Sequence, residues 1–194
     1  MKTLRKTKNA IKKLEILKTA EKMVLENNQE SAVHEIANAL EIAKGTIYNS
    51  FRSKNHLYLE LLILNERRLL ELAKTRNSDI HESVSSYMLY HMQESNRTVL
   101  FHSIEERIAS EEKKLKKMFE ELYEVREQRI MELKSLVSEY LTRFQSHISV
   151  RDYLSYVWTI TYGASLLLSS TYYQKSIGDR NKLMDFYIKQ ALQV

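Results

Sequence analysis

Three glycines and no proline in 194 residues leave this chain almost without the residues that reverse a backbone tightly. Architectures built from many short strands need such turns repeatedly, so helices joined by polar loops are the expected solution. Gly45, Gly163 and Gly178 are too scattered to form a G-x-G-x-x-G or G-x-x-x-x-G-K-[ST] phosphate cradle, which needs closely spaced residues free to adopt φ > 0. Nucleotide-binding α/β folds are therefore disfavoured too. With 43% hydrophobic residues the chain can bury a core as one or two domains. The absence of cysteine removes disulfides, thiolate metal sites and thiol nucleophiles, and fits a reducing compartment.

Charge is unevenly distributed. Residues 1–56 hold eleven Lys and Arg against six acidic residues, so the whole formal charge of +5 lies there and the remainder is balanced. A basic head on a neutral body suggests a polyanion-binding unit attached to a part with another task; a solvated basic helix is the plainer alternative. The opening MKTLRKTKNAIKKLEIL is interrupted by lysines and Glu15 before any signal-peptide core can form, so a cytoplasmic location is expected. Tyr153 to Gln174 carries no charge, but its serines, threonines and five tyrosines would leave many hydroxyls needing partners in lipid. It is read as a buried helix at a protein interface, with no membrane span.

Ile11, Leu14, Ile16, Leu17, Ala20, Val24 and Leu25 recur at helical spacing up to Asn27-Asn28. Ser31 is placed as the cap of a short helix with Val33, Ile36, Ala37 and Leu40 inward. A break at Glu41-Ile42-Ala43 leads to a second short helix, Lys44 to Phe51. Two short helices with a three-residue join point to helix-turn-helix. Ser53 caps a long helix starting at Lys54, whose leucines cover much of its circumference and require cover on several sides. Beyond Asn77-Ser78-Asp79, five more helices are expected near 80–94, 97–109, 111–144, 150–173 and 179–191.

The helix-turn-helix reading can be tested on residue types. Close crossing demands a small residue in the first helix, supplied by Ala37, with Ile47 facing back from the second. Gly45, Thr46 and Tyr48 lie near the start of the recognition helix, where missing bulk and hydroxyls suit an approaching DNA backbone. Lys44 suits guanine O6/N7 or a phosphate, and Asn49 suits adenine N6/N7.

The run from Ala43 to Leu57, AKGTIYNSFRSKNHL, preceded by Val33-His34-Glu35-Ile36-Ala37, resembles the head of the tetracycline-repressor-type (TetR) transcription regulators. The resemblance covers roughly the first third of the chain. It implies an all-α protein of about nine helices: a helix-turn-helix DNA-binding head, taken as 1–53, and a helical effector-binding and dimerisation domain, 54–194. It implies a homodimer joined through the last two helices. It places His34, Ala43, Lys44, Gly45, Thr46, Tyr48 and Asn49 on operator DNA and Lys54 on a phosphate. Three positions depart from the family pattern. Val33 replaces a hydroxyl, Ser50 replaces a histidine or tyrosine, and Glu41 stands where the turn commonly has glycine, at a cost of roughly 1–2 kcal/mol if the left-handed conformation is kept. Lys2, Arg5, Lys6, Lys8, Lys12 and Lys13 form a basic tail that can follow phosphates or enter a minor groove, or simply fray in solvent.

In the body, aromatic side chains at helical spacing are first of all core. A subset, Tyr87, His91, Phe101, Phe119, Tyr123, Trp158 and Tyr162, is taken as lining for a small hydrophobic or amphipathic effector, with His102 and Arg126 as further polar handles. No H-E-x-x-H, no histidine pair at i, i+4 and no glycine-flanked serine elbow is present, so neither catalysis, metal nor cofactor is expected. The function that follows is a ligand-responsive regulator, a repressor, on a pseudo-palindromic duplex operator. The rival is a helical adaptor whose basic end sits on anionic membrane or protein surfaces. The predicted dimer surface combines Tyr153 to Gln174 with Leu183, Phe186, Tyr187, Ile188 and Ala191.

Overall fold

Three of the sharp reversals are made by non-glycine residues in the left-handed conformation, Asn28 (φ 52°), Glu41 (φ 53°) and Gln145 (φ 54°). At Glu41 the reversal is a paired cap: the Glu41 N–H donates to the Asn38 carbonyl and the Ile42 N–H to the Ala37 carbonyl, each at 3.0 Å. Gln145 and Ser146 repeat this pattern on Thr142 and Leu141. Two bonds per turn offset the Cβ penalty that glycine would have avoided.

The computed structural model describes residues 2–75, 79–176 and 178–193, with side chains from residue 7 onward. Among the described residues every regular element is helical: α1 (Lys2–Asn27), α2 (Val33–Ala39), α3 (Lys44–Tyr48), α4 (Lys54–Thr75), α5 (Ile80–Gln93), α6 (Ser95–Glu111), α7 (Lys116–Arg143), α8 (Val150–Ser169) and α9 (Arg180–Ala191), with 3-10 turns at Lys113–Leu115 and Tyr173–Lys175. The all-α expectation is met. The break expected at Asn77-Ser78-Asp79 falls mostly outside the described residues.

Several ends differ from the sequence reading. The α1 backbone is helical from Lys2 instead of beginning after a tail. The cap of α2 is Ala32, and Ser31 is buried. In place of a serine cap, the Glu35 carboxylate accepts from the Ala32 N–H at 2.6 Å. The second short helix stops at Tyr48, and the N–H groups of Ser50 and Phe51 both turn back to the Ile47 carbonyl. Helix α8 ends at Ser169, four residues early, and Tyr172 and Tyr173 are exposed. The Ser53 hydroxyl does accept from the His56 N–H at 3.0 Å, starting α4 as the sequence indicates.

The chain forms two compact units. The first comprises Met1–Leu64 and Leu100–Glu120. Its interior is filled by Ile16, Leu17, Ala20 and Val24 of α1, Val33, Ile36 and Ala37 of α2, Ile47 of α3, Phe51, and Leu57 and Tyr58 of α4. The Tyr58 hydroxyl donates to the Ser31 carbonyl at 3.0 Å, and burial pushes this phenol well above its ordinary range. Glu30 draws the unit together, taking Lys54 at 3.0 Å and Arg107 at 2.6 Å. Arg107 also donates to Asn55 Oδ1 at 3.0 Å.

The second unit comprises Asn65–Val99 and Glu121–Val194. Its core joins Ile80, Val84, Met88 and Met92 of α5, Val137, Tyr140 and Leu141 of α7, Tyr153, Val157, Ala164 and Leu168 of α8, and Met184, Ile188 and Ala191 of α9. The corner between α5 and α6 has no glycine, and side chains satisfy the last carbonyls of α5, which lack intrahelical partners. Arg97 donates to the Tyr90 carbonyl, Thr98 to that of His91, and Arg180 to those of Met92 and Gln93. Arg180 further donates to the Leu168 carbonyl and Ser95 Oγ. Two α9 carbonyls past mid-helix accept tyrosine hydroxyls, Ala191 from Tyr153 at 3.1 Å and Gln190 from Tyr156 at 3.3 Å.

Candidate functional site

Helix α3 is short and strongly two-sided. Ile47 is fully buried, whereas Ala43, Lys44, Gly45, Tyr48 and Asn49 are exposed and Thr46 is half-buried. The inward Ile47, with Ile36 and Ala37 of α2, fixes which side faces out. Lys44 Nζ lies 5.8 Å from the Tyr48 ring centroid, a cation–π distance. A Cβ added to Gly45 would meet nothing within 4 Å, so no packing inside the protein calls for glycine there. His34 on α2 is exposed. Lys54 differs from the other expected DNA contacts: its ammonium is held by Glu30 and lies 5.6 Å from the Tyr58 ring centroid. Of the basic residues before α2, Lys8 and Lys12 are exposed and Lys13 is paired with Glu60. The side chains of Lys2, Arg5 and Lys6 lie outside the described ones.

The seven residues taken from sequence as effector lining separate in the structure. Phe101 is buried and Phe119 half-buried in the first unit. Tyr123 is 60% exposed on α7. The other four converge in the second unit. The His91 ring meets Tyr87 at 4.8 Å and Trp158 at 5.2 Å between centroids, both edge-on, and Trp158 stacks on Tyr162 at 5.5 Å. Tyr90 adds a third ring against His91 at 5.5 Å.

Of the polar groups around this cluster, sequence reasoning anticipated His91 and Arg126 but not Thr98, Arg129, Glu66 or Asn65. Thr98 Oγ1 is 3.0 Å from His91 Nδ1 and also 3.0 Å from the His91 carbonyl. His91 Nε2 is buried without a hydrogen-bond partner among the described residues. Burial pushes the His91 imidazole down to about 3, with Arg129 and Arg97 adding to the shift, so the ring is neutral at ordinary pH. Burial likewise pushes the Tyr87 phenol up to about 12. Arg129 lies 5.2 Å from the Tyr87 ring centroid and Arg97 4.2 Å from that of Tyr90. Buried Glu66 of α4 takes Arg126 at 3.0 Å and Arg129 at 2.9 Å, and Asn65 accepts from the Tyr90 hydroxyl at 2.8 Å. A signal for Glu66 existed: it interrupts the apolar row Leu62, Leu69, Ala73 at i+4 from Leu62, where a charge needs a partner.

The face expected for dimer contact is partly consumed. Ile188 and Ala191 belong to the second unit's own core, and Leu183 and Tyr187 are half-buried. What remains outward is Tyr156, Thr159 and Leu166 on α8 and Phe186 on α9. Gly163 lies in this stretch of α8, and a Cβ there would also meet nothing within 4 Å.

No group of three or more potential metal-binding side chains occurs among the described residues, and no described helix is long and apolar enough to cross a membrane. A short helix seated on two others, with one face inward and a polar face outward, is the helix-turn-helix head of the DNA-binding regulators. Residues 16–61 match the sequence profile of the bacterial regulatory proteins of the tetR family. A tetR-family regulatory protein from Rhodococcus RHA1 has a similar fold, with TM-score 0.70 and 15% identity over 93% of this chain and 95% of its own. So does the transcriptional regulator FadR from Bacillus subtilis, solved in complex with stearoyl-CoA, with TM-score 0.62 and 15% identity over 93% of this chain and 97% of its own. Among curated protein sequences nothing matches.

Proposed function

We propose that the protein is a homodimeric, ligand-responsive transcription regulator of the cytoplasm, a repressor, that grips a pseudo-palindromic operator with two copies of α3. The observation that carries this reading is the division of α3 into a buried Ile47 and an exposed set of Lys44, Gly45, Tyr48 and Asn49. On such a helix Lys44 and Asn49 read base edges, Thr46 and Tyr48 bond phosphate oxygens, and Gly45 lets the backbones approach. His34 and Ala43 flank the contact, and Lys54 reaches a phosphate after exchanging Glu30 for it. Two such heads, about 34 Å apart, match successive major grooves on one side of the duplex.

In this reading residues 1–53 bind DNA and 54–194 pair and sense. The outward Tyr156, Thr159 and Leu166 of α8 and Phe186 of α9, with half-buried Gly163 among them, supply the interface. A glycine inside a helix costs about 1 kcal/mol relative to alanine, and at Gly163 nothing within the chain uses the room it leaves; close approach of a second copy does. The effector is a small apolar or amphipathic molecule. The stearoyl-CoA in the similarly folded Bacillus subtilis regulator supports that class. Release of DNA requires that the effector bind the DNA-free conformation more tightly, since equal affinity shifts nothing.

Selection from random duplexes with the full chain, followed by footprinting, tests the proposal. Two-fold symmetric sites should emerge, and Tyr48→Ala with Asn49→Ala should abolish binding without altering the circular dichroism. Unsymmetric sites, or binding that survives the double substitution, would overturn it. Unchanged binding of that variant to anionic vesicles, without duplex binding by the native chain, would favour the adaptor instead.

A further inference from the structure

The acceptor atom left over inside the second unit has a defined chemistry. Thr98 has one hydroxyl proton and stands 3.0 Å from both the His91 carbonyl and His91 Nδ1. The carbonyl can only accept and, as one of the last four of α5, has no intrahelical donor, so it takes that proton. Nδ1 can then only donate to the hydroxyl oxygen, which places the ring proton on Nδ1 and a bare lone pair on Nε2. That lone pair is buried and meets no donor among the described residues. Leaving a buried acceptor unmatched is costly unless something else supplies the hydrogen.

The surroundings select the donor. Tyr87, Tyr90 and Trp158 each present a ring to His91, with Tyr162 stacked behind Trp158. All four are half-buried, which leaves aromatic surface to cover a flat molecule. The guanidiniums of Arg97 and Arg129 lie against Tyr90 and Tyr87. Both guanidiniums already act on the His91 ring against a positive charge, so an ammonium donor would meet like charge.

We propose that His91 Nε2 accepts a hydrogen bond from the hydroxyl or N–H of a neutral aromatic ligand of the phenol class, seated among Tyr87, Tyr90, Trp158 and Tyr162. The proposal names the chemistry of the effector and rests on the reading of the body as a sensing domain.

Phenol and anisole differ by the donor alone, and Trp158 is the only tryptophan of the chain, so its emission reports binding at this place. Calorimetric titration of the full chain should give a dissociation constant at least tenfold lower for phenol than for anisole, with a change in Trp158 emission. Benzylammonium should bind more weakly than phenol. His91→Phe should equalise phenol and anisole, with folding checked by thermal melting and His91→Leu as a second variant. If neither variant folds, the comparison of phenol with anisole on the native chain still decides. Equal affinities for the two, as a resident water on Nε2 would produce, unmoved Trp158 emission, or benzylammonium binding as well as phenol would each overturn the proposal. Operator binding is followed in parallel. Phenol discrimination without DNA release leaves the His91 site standing and removes the effector reading; release of DNA without discrimination does the reverse.

Discussion

Lys44 and Tyr48 sit one helical turn apart on α3, the ammonium of the first 5.8 Å from the ring centroid of the second. At an exposed site such a pair is worth about 0.5–1 kcal/mol, enough to bias both side chains outward before DNA arrives. Lys44→Ala should therefore weaken operator binding in two ways. If Lys44 reads guanine, the loss is about 1–3 kcal/mol and specificity relaxes at one base pair; if it meets phosphate, the salt dependence of log K falls by about 1. Affinity measured across a salt series on the native site and its single-base variants separates these outcomes.

Gly45→Ala should raise stability and impair function. The position is exposed, its backbone is helical and the added methyl meets nothing within 4 Å, so the unfolded chain loses freedom and stability rises by about 0.4–1 kcal/mol. DNA affinity should drop at least tenfold, because the methyl would stand where the duplex backbone comes closest. Urea melts and gel-shift titrations on one preparation check both signs.

Gly163→Leu isolates the pairing surface. Helix propensity at this position favours the larger residue by roughly 0.8 kcal/mol, and a Cβ there meets nothing within 4 Å. The expected product is a well-folded monomer by analytical ultracentrifugation, with operator affinity reduced because the two heads are no longer linked. A variant that sediments like the native protein would remove α8 from the interface.

Acid should destabilise the protein partly through His91. Its folded value, pushed down to about 3 by burial, lies below the ordinary 6.5. The unfolded chain therefore gains a proton that the folded one refuses. Stability from this source is whole above pH 6.5 and declines by about 1.4 kcal/mol per pH unit as pH falls from there toward 3. Denaturation midpoints of the native chain and His91→Phe, compared from pH 7 to pH 4, should converge as pH drops.

Glu66→Gln removes the one carboxylate shared by Arg126 and Arg129. Breaking a buried pair costs about 3–5 kcal/mol; Arg126 is more than a third exposed, so a loss nearer about 2 kcal/mol is expected in urea unfolding. Glu66→Leu should be no milder, because it removes the same carboxylate from both guanidiniums.

The head was largely legible in the sequence because local chemistry dictates it. Asn28 and Glu41 adopt the expected left-handed turns, and Ser53 makes the expected cap. Ser31 misled because its backbone carbonyl, not its hydroxyl, was the useful group, held by Tyr58 from 27 residues away. In the body, helical periodicity located the core but could not sort the aromatics. Whether Tyr87 and Trp158 both meet His91 while Phe101 and Phe119 go elsewhere depends on contacts between helices distant in sequence. Thr98 and Arg180 were invisible for the same reason: each caps a carbonyl that no local pattern marks as exposed.

Arg180 gives the second unit an order of events. Its guanidinium reaches the Met92 and Gln93 carbonyls, Ser95 and the Leu168 carbonyl, so during synthesis these two α5 carbonyls wait for this donor until the start of α9 has left the ribosome, whereas Arg97 and Thr98 can cap Tyr90 and His91 much earlier. A bend made early in translation is thus completed by a side chain that follows 88 residues after Met92.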